Sequence, residues 1–199
     1  MSGVAGLVLA AGRGTRFGTE PKLLAPLHGA PLVRHAARAA LAAGLAPVLA
    51  VTGHRAAEVA AALAGLEVGI VPNPAYAGGL STSLRAGLDA LPPEASGAVV
   101  LLGDMPGVAP ATIRALVAAF AGGEAAALVP THGGRRGNPV LLGRRLFPDL
   151  ARLAGDAGAG ALLKGRPDVA ELPVPDPAIL ADIDTPAALR LWTSPGRDA

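Results

Sequence analysis

The chain has no cysteine, which removes disulfides, thiolate metal sites and cysteine nucleophiles together. Aromatic residues make up only 3% of its 199 positions and no basic stripe is interleaved with them, so the pattern of a nucleic-acid-binding surface is missing. Charge is also sparse, at 16% of residues. The 17 positive side chains, nearly all arginine, are scattered among 15 acids and leave a net charge of +2. No apolar run reaches the roughly 20 residues that a bilayer-spanning helix needs. The longest weakly polar stretch, LAAGLAPVLAVTG, is interrupted by Gly44 and Pro47, so no membrane association is expected. The opening MSGVAGLVLAAGRG carries no basic run ahead of its apolar stretch and no small-x-small cleavage pattern, from which a cytoplasmic location is expected.

What is present is a hydrophobic fraction of 51%, much of it alanine, which at roughly a fifth of the chain is well above ordinary usage. A chain of this length encloses one full core, and a single domain over residues 1–199 is expected. Short apolar runs at residues 3–10, 46–53, 67–73, 97–104, 125–131 and 138–142 alternate with segments of helical period. Leu80, Leu84, Leu88 and Leu91 share one helical face, as do Ile113, Leu116, Val117 and Phe120 behind Pro110, which suits a first helical turn. Further helices are expected near 31–44, 55–64, 143–153 and 185–193, the last with Thr185 as N-cap and Pro186 at its first position. This alternation predicts the α/β class: a three-layer α/β/α sandwich around a mostly parallel sheet covered on both faces.

Ligands of such sheets gather outside the carboxyl ends of the strands. The unusual residues lie there: AAGRGTRFGTEPK after the first run, NPAYAGGLSTS after the third, GDMPG after the fourth and THGGRRGNP after the fifth. In the first loop, Gly12, Gly14 and Gly18 let backbone N–H groups approach phosphate oxygens, and Arg16 and Lys22 add mobile positive charge, so the loop reads as a polyphosphate cradle. It is not a Walker A loop, because no Lys-Ser or Lys-Thr pair follows its last glycine, and its spacing misses the dinucleotide fingerprint by one residue. The plainer alternative is a tight turn flanked by surface arginines.

Asp104 ends a buried run beside that loop and suits a Mg²⁺ ion, which takes one or two carboxylates together with waters and substrate phosphates. Its plainer role is to cap the turn into the Pro110 helix. Asp182 and Asp184 flank Ile183 and share one face of an extended segment, so either could supply a second ligand unless it caps the last helix. Ser81 reads as the N-cap of the Leu80 helix. The arginine pairs Arg135–Arg136 and Arg144–Arg145 suggest small anionic ligands, with Arg136 equally suited to a solvated hairpin. Asn138 offers a donor and an acceptor to a heterocycle edge, while Asp156 sits in a Gly-Asp-x-Gly turn. His28, His35, His54 and His132 are dispersed without metal-ligand spacing and read as packing or surface residues.

The string GRGTR, four residues, then PK resembles the signature of nucleotidyltransferases that attach a nucleoside monophosphate to a phosphorylated acceptor. With LAAG before it and NPAYAGGLSTSLRAGL, LLGDMPGV, GRRGNPVLL, LAGDAGAGALL and DIDTP after it, the chain resembles the molybdenum cofactor cytidylyltransferases from about residue 4 to residue 190. That resemblance implies a Rossmann-like fold of the nucleotide-diphospho-sugar transferase type with a mixed sheet. It implies a nucleotide-binding half over residues 1–108 and an acceptor-binding half over 109–199. The implied reaction moves CMP from CTP to molybdopterin-type cofactor with Mg²⁺ or Mn²⁺, the product passing to a molybdenum hydroxylase, and the protein is a monomer by default.

The residues carried over for the nucleotide are Leu9, Ala10, Ala11, Gly12, Arg13, Gly14, Thr15, Arg16, Lys22, Asn73, Gly79 and Ser83, with Lys22, Arg16 and Asp104 catalytic. Asp104 and Asp184, with Asp182 close behind, are implied for the metal, and Arg135, Arg136, Asn138 and Asp156 for the acceptor. LAAG rather than LAGG, and so Ala11, implies CTP over GTP. Asn138 stands where these enzymes often carry histidine and Gly160 where they often carry arginine, which leaves the acceptor open. A sugar-phosphate or polyol-phosphate nucleotidyltransferase, and a cofactor carrier or insertion chaperone, are the remaining alternatives.

Overall fold

A computed structural model of the chain describes residues 3–18 and 20–193. The first apolar run forms β1 (Val4–Ala10), buried throughout. After the glycine loop come a small hairpin of β2 (Pro26–Leu27) and β3 (Ala30–Pro31), then α1 (Leu32–Ala42), β4 (Val48–Thr52), α2 (Ala56–Ala62) and β5 (Gly69–Pro72). The chain continues through α3 (Leu80–Asp89), β6 (Gly97–Leu102), α4 (Pro110–Ala121), β7 (Ala127–His132), β8 (Arg135–Arg136) and β9 (Val140–Gly143). It ends with α5 (Phe147–Leu150), α6 (Ala159–Leu163), β10 (Val169–Pro173) and α7 (Pro186–Thr193).

The main sheet runs β10-β7-β9-β6-β1-β4-β5, with β8 paired to β7. All neighbours are parallel except where β9 pairs antiparallel with β6 and β7, and β8 with β7. Side chains alternate across β1, so Val4, Val8 and Ala10 meet α1 and α4 in one cluster while Ala5, Leu7 and Leu9 meet α3, α5 and α6 in another. These two clusters make the sheet the middle of three layers, as the sequence pattern implies. A third cluster, built on Phe17, Leu27, Leu32 and Ile183 with Leu189 and Trp192 of α7, closes one end. Among the described residues no helix is long and apolar enough to cross a membrane.

Several expectations need correction. The 143–153 segment yields only a 3₁₀ turn, Arg144–Leu146, and the four residues of α5, because Pro148 lacks the N–H that a helix running on from 143 would need and stands instead in a first helical turn. The 67–73 run forms an edge strand that is largely exposed, not buried. Edge position likewise explains β10, which no apolar run announces, since Pro173 closes a strand with only one neighbour. α6 was also not anticipated. Ser81 lies inside the first turn of α3 rather than capping it, and its buried hydroxyl has no partner. At α7, by contrast, the Thr185 hydroxyl accepts from the Ala188 N–H at 3.1 Å, as its N-cap position requires.

Candidate active site

From β1 the chain proceeds toward β4, and from β6 it proceeds away on the other side, so β1 and β6 flank the point where connections diverge. The loops after these two strands open a crevice there. Gly103 donates to the Leu9 carbonyl at 3.0 Å, and a Cβ on Gly103 would sit 3.1 Å from that oxygen, so glycine is what lets the two strand ends close together. The next residue is Asp104. Its carbonyl accepts from the Ile183 N–H at 2.9 Å, and Ile183 is buried in the third cluster, which holds Asp182 and Asp184 beside Asp104. Ligand atoms of the three carboxylates lie within 4.8 Å of one another. Neither capping alternative holds: Thr185 caps α7, and at α4 the Ala109 N–H and Thr112 hydroxyl donate to Asp176, not to Asp104.

In the glycine loop, Gly14 adopts a left-handed φ of 60° and hands over to a 3₁₀ turn, Thr15–Phe17. Phe17 buries its ring in the third cluster, and Arg16 reaches Asp184 at 2.7 Å. Lys22 opens a second 3₁₀ turn, its Nζ 2.6 Å from Asp104 Oδ2 and 2.9 Å from Asp184 Oδ1. Burial draws the Lys22 ammonium toward a lower pKa, but the Asp104 and Asp184 carboxylates reverse this and raise it. Desolvation pushes the Asp184 carboxyl up, and the bonds and charge from Lys22, with help from Asp182 and Arg16, leave it below the usual aspartate range. Asp182, disfavoured first by burial and then by the Asp184 charge, is raised.

A cleft of about 520 Å³ opens over Lys22 and Asp104. Its wall includes Leu9, Ala11, Gly12, Arg13, Gly14, Thr15, Lys22, Gly79, Ser83 and Asp104, so most residues expected for the nucleotide meet on one surface. Ala10 is buried in β1. A Cβ on Gly12 would meet nothing within 4 Å, so packing does not require glycine there. Asn73 is not on the wall. Its amide donates to the Thr82 and Ser83 hydroxyls at 2.9 and 3.0 Å and its oxygen accepts from the Ala75 N–H, so it organises the loop from within. Asp156, expected on the acceptor side, lines this cleft instead, because its turn docks on the start of α3: the Ser81 N–H donates to the Gly155 carbonyl at 3.1 Å.

A second hollow of about 330 Å³ shares Leu9, Leu80 and Leu102 with the cleft and contains Arg136, Asn138 and Gly160 among aliphatic walls. Arg135 lines neither hollow, and Arg136 is paired with Glu171 at 2.7 Å. The anion-binding reading of Arg144 and Arg145 is corrected: Arg144 donates to the Ala95 and Pro92 carbonyls and lies over the Phe147 ring, and Arg145 donates to the Glu124 carbonyl. His35 and His132 bond the Leu27 and Val174 carbonyls. Sequence reasoning missed Tyr76, the chain's one tyrosine, on the cleft wall. Its ring lies 5.7 Å from the Arg13 guanidinium and 6.1 Å from the His54 ring. Its signal was rarity alone.

A doubly covered α/β sheet with a glycine loop, a lysine and a carboxylate cluster at its switch point defines a class of proteins built to handle phosphorylated nucleotides. Within that class the chain belongs to the MobA-like NTP transferase domain family, whose model matches residues 6–171. It is 35% identical over 190 residues to nicotine blue oxidoreductase of Paenarthrobacter nicotinovorans, covering 92% of each chain. Among solved structures it is similar to Rv0371c of Mycobacterium tuberculosis H37Rv, with 36% identity, TM-score 0.82 and coverage of 96% and 98%. That protein has also been solved with manganese. A nucleotidyl transferase of Methanothermobacter thermautotroptrophicus matches at 31% identity and TM-score 0.82 over 95% of each chain.

Proposed function

We propose that the protein transfers CMP from CTP to the phosphate of a molybdopterin-type molybdenum cofactor and releases pyrophosphate. The observation that carries the reading is that Lys22 and Asp104, both on the wall of the glycine-loop cleft, meet there, with Lys22 also holding Asp184. An acceptor phosphate oxygen attacks the α-phosphorus of CTP in line. A new P–O bond forms as the bond to the β-phosphate oxygen breaks, and pyrophosphate carries away the electron pair. The nucleophile is already ionised, so no residue need act as general base. The N–H groups of residues 12–15 receive the phosphate tail, which the open space at Gly12 accommodates, and Lys22 and Arg16 neutralise charge on the α-phosphate and the leaving group.

A divalent ion fits the residues present. Asp104 Oδ1 is buried without a hydrogen-bond partner, and a set of carboxylate oxygens suits Mg²⁺ or Mn²⁺. Asp104 and Asp184, with Asp182, would hold it, and it would supply charge neutralisation at the phosphates. Residues 1–108 form the nucleotide half of this reading and residues 109–199 the acceptor half, with Arg136 and Asn138 facing the acceptor. Ala11 favours cytosine. We place the protein in the cytoplasm as a monomer that delivers its product to a molybdenum hydroxylase.

The test is pyrophosphate release by the purified protein with Mg²⁺ and molybdopterin cofactor, comparing CTP, GTP, ATP and UTP. Release with CTP alone is expected. Release with GTP would overturn the reading of Ala11, and release only with a sugar or polyol phosphate would replace the acceptor. Tight cofactor binding with no release would favour a carrier. The likeness to nicotine blue oxidoreductase over 92% of each chain favours a second reading, redox chemistry on such a pigment. A change in nicotine blue absorbance upon adding the protein and an electron donor would support it.

A further inference from the structure

The chain meets nearly every need for positive charge with arginine: only two of its 17 basic side chains, Lys22 and Lys164, are lysines. One of the two is inserted into the carboxylate cluster. Lys22 is 11% exposed and its Nζ holds Asp104 Oδ2 and Asp184 Oδ1, one oxygen from each of the two carboxylates that would hold a divalent ion. The other Asp104 oxygen is buried and unpartnered. An ammonium held 2.6 Å from Asp104 repels a dication brought to the same carboxylates, so the two cations compete for them. A lysine suits such an exchange better than an arginine would: it is a compact point charge on a flexible stem, whereas a guanidinium is a fixed planar fork. The stem also lies along the cleft, since the Cβ position of Gly14 is 3.0 Å from the Lys22 Cβ.

We propose that Lys22 is an internal counter-cation of the metal site: Lys22 and a divalent ion compete for the Asp104 and Asp184 carboxylates, and metal entry moves the ammonium into the cleft, toward the nucleotide phosphates. The inference rests on the metal reading above and adds regulation to it. By linkage, whatever anion draws the ammonium into the cleft favours metal entry by the same factor. Arg16 also touches Asp184, at 2.7 Å, but its side chain is 75% exposed, so water and salt screen its influence and it is the natural control for loss of a positive charge.

The experiment measures Mn²⁺ affinity by electron paramagnetic resonance, without nucleotide, for the wild type, Lys22→Met, Arg16→Gln and Asp104→Asn. In parallel, ¹³C-lysine NMR of the wild type follows the side-chain signals of Lys22 and Lys164 during a Mg²⁺ titration. Lys22→Met is expected to bind Mn²⁺ about tenfold more tightly or better, and Arg16→Gln to change affinity by about threefold or less. The Lys22 signal should move with Mg²⁺ while that of Lys164 stays still. Equal affinities in the wild type and Lys22→Met, with an unmoved Lys22 signal, would overturn the exchange and leave the metal site standing. Mn²⁺ binding no better in the wild type and Lys22→Met than in Asp104→Asn would overturn the metal site and the exchange together. The NMR titration uses the wild type, so the exchange remains testable if Lys22→Met folds poorly.

Discussion

Before residue 108, Lys22, Arg16 and Asp104 meet at one crevice while Arg34, His35 and Asn73 hold backbone and loops; after it, most polar side chains hold the backbone together. In the first half, Lys22 and Arg16 reach carboxylates brought from the ends of β6 and from the segment before α7. In the second half, Asp176 accepts from the Ala109 and Ala178 N–H groups and the Thr112 hydroxyl, Arg144 binds two backbone carbonyls, and Arg166 pairs with Asp168 and Asp149. The two halves have different frames. Four parallel strands, β6-β1-β4-β5, position the first-half loops by main-chain ladders. Beyond β7 the chain has helices of eight residues or fewer, a two-residue strand and an edge strand, and uses side chains where ladders run out. A charged residue therefore means different things in the two halves, and its type alone does not separate them.

The largest expected effect tests whether the first-half charges are catalytic. Asp104→Ala or Lys22→Ala should lower turnover at least about 10²-fold, roughly 2.7 kcal/mol of transition-state stabilisation, while Arg144→Ala should act mainly on stability. Steady-state pyrophosphate release beside thermal unfolding of each variant checks this. Activity retained in Asp104→Ala would erase the contrast.

A pair of glycines sharpens it. A Cβ on Gly137 would come 2.4 Å from the Ile179 carbonyl oxygen, so Gly137→Ala should lose about 1–3 kcal/mol in denaturant unfolding. Gly12 has open space, so Gly12→Ala should change stability by less than about 0.5 kcal/mol yet raise the nucleotide KM several-fold, because the added methyl enters the cleft.

The contrast also explains what could be read from the sequence. Buried strands announce themselves as apolar runs, and loops on their carboxyl ends inherit a position from them, so the glycine loop and Asp104 are legible in the sequence alone. The alternation around Ile183 likewise put Asp182 and Asp184 on one face. What was not legible depended on contacts distant in sequence. Asp176 caps a helix more than 60 residues earlier. Asp156 reaches the glycine-loop cleft because its turn docks on α3, and Asn73 looks like a ligand-binding amide until its three hydrogen bonds are seen. Edge strands such as β10 lack the continuous apolar run that marks a buried one, which is why Val169–Pro173 passed unnoticed.

A smaller effect separates two neighbours within the cluster. The folded-state pKa of Asp184 is lowered, so its contribution to stability is complete above the ordinary aspartate value and is lost as pH falls through the lowered one. Asp182 is raised and has the opposite sign, contributing least once pH has risen through its folded value. At neutral pH, Asp184→Asn should therefore lower the thermal midpoint and Asp182→Asn should not, and the two should converge in acid. Equal midpoints at neutral pH would mean that Lys22 does not distinguish them.

The smallest effect decides whether the second half contributes a ligand at all. Arg136 and Glu171 form an ion pair whose side chains are 40% and 49% exposed, so breaking it from either side should cost no more than about 1 kcal/mol. If the pair only closes the hairpin against β10, Arg136→Ala and Glu171→Ala should have the same small stability effect and leave the acceptor KM untouched. If Arg136 meets an anionic acceptor in the adjoining hollow, Glu171 is a competitor for it. Arg136→Ala should then raise the acceptor KM, and Glu171→Ala should lower it by freeing the guanidinium. Opposite signs at two ends of one salt bridge cannot come from a stability change, so KM measured for both variants isolates recognition from scaffolding, and opposite signs are the result the acceptor assignment requires.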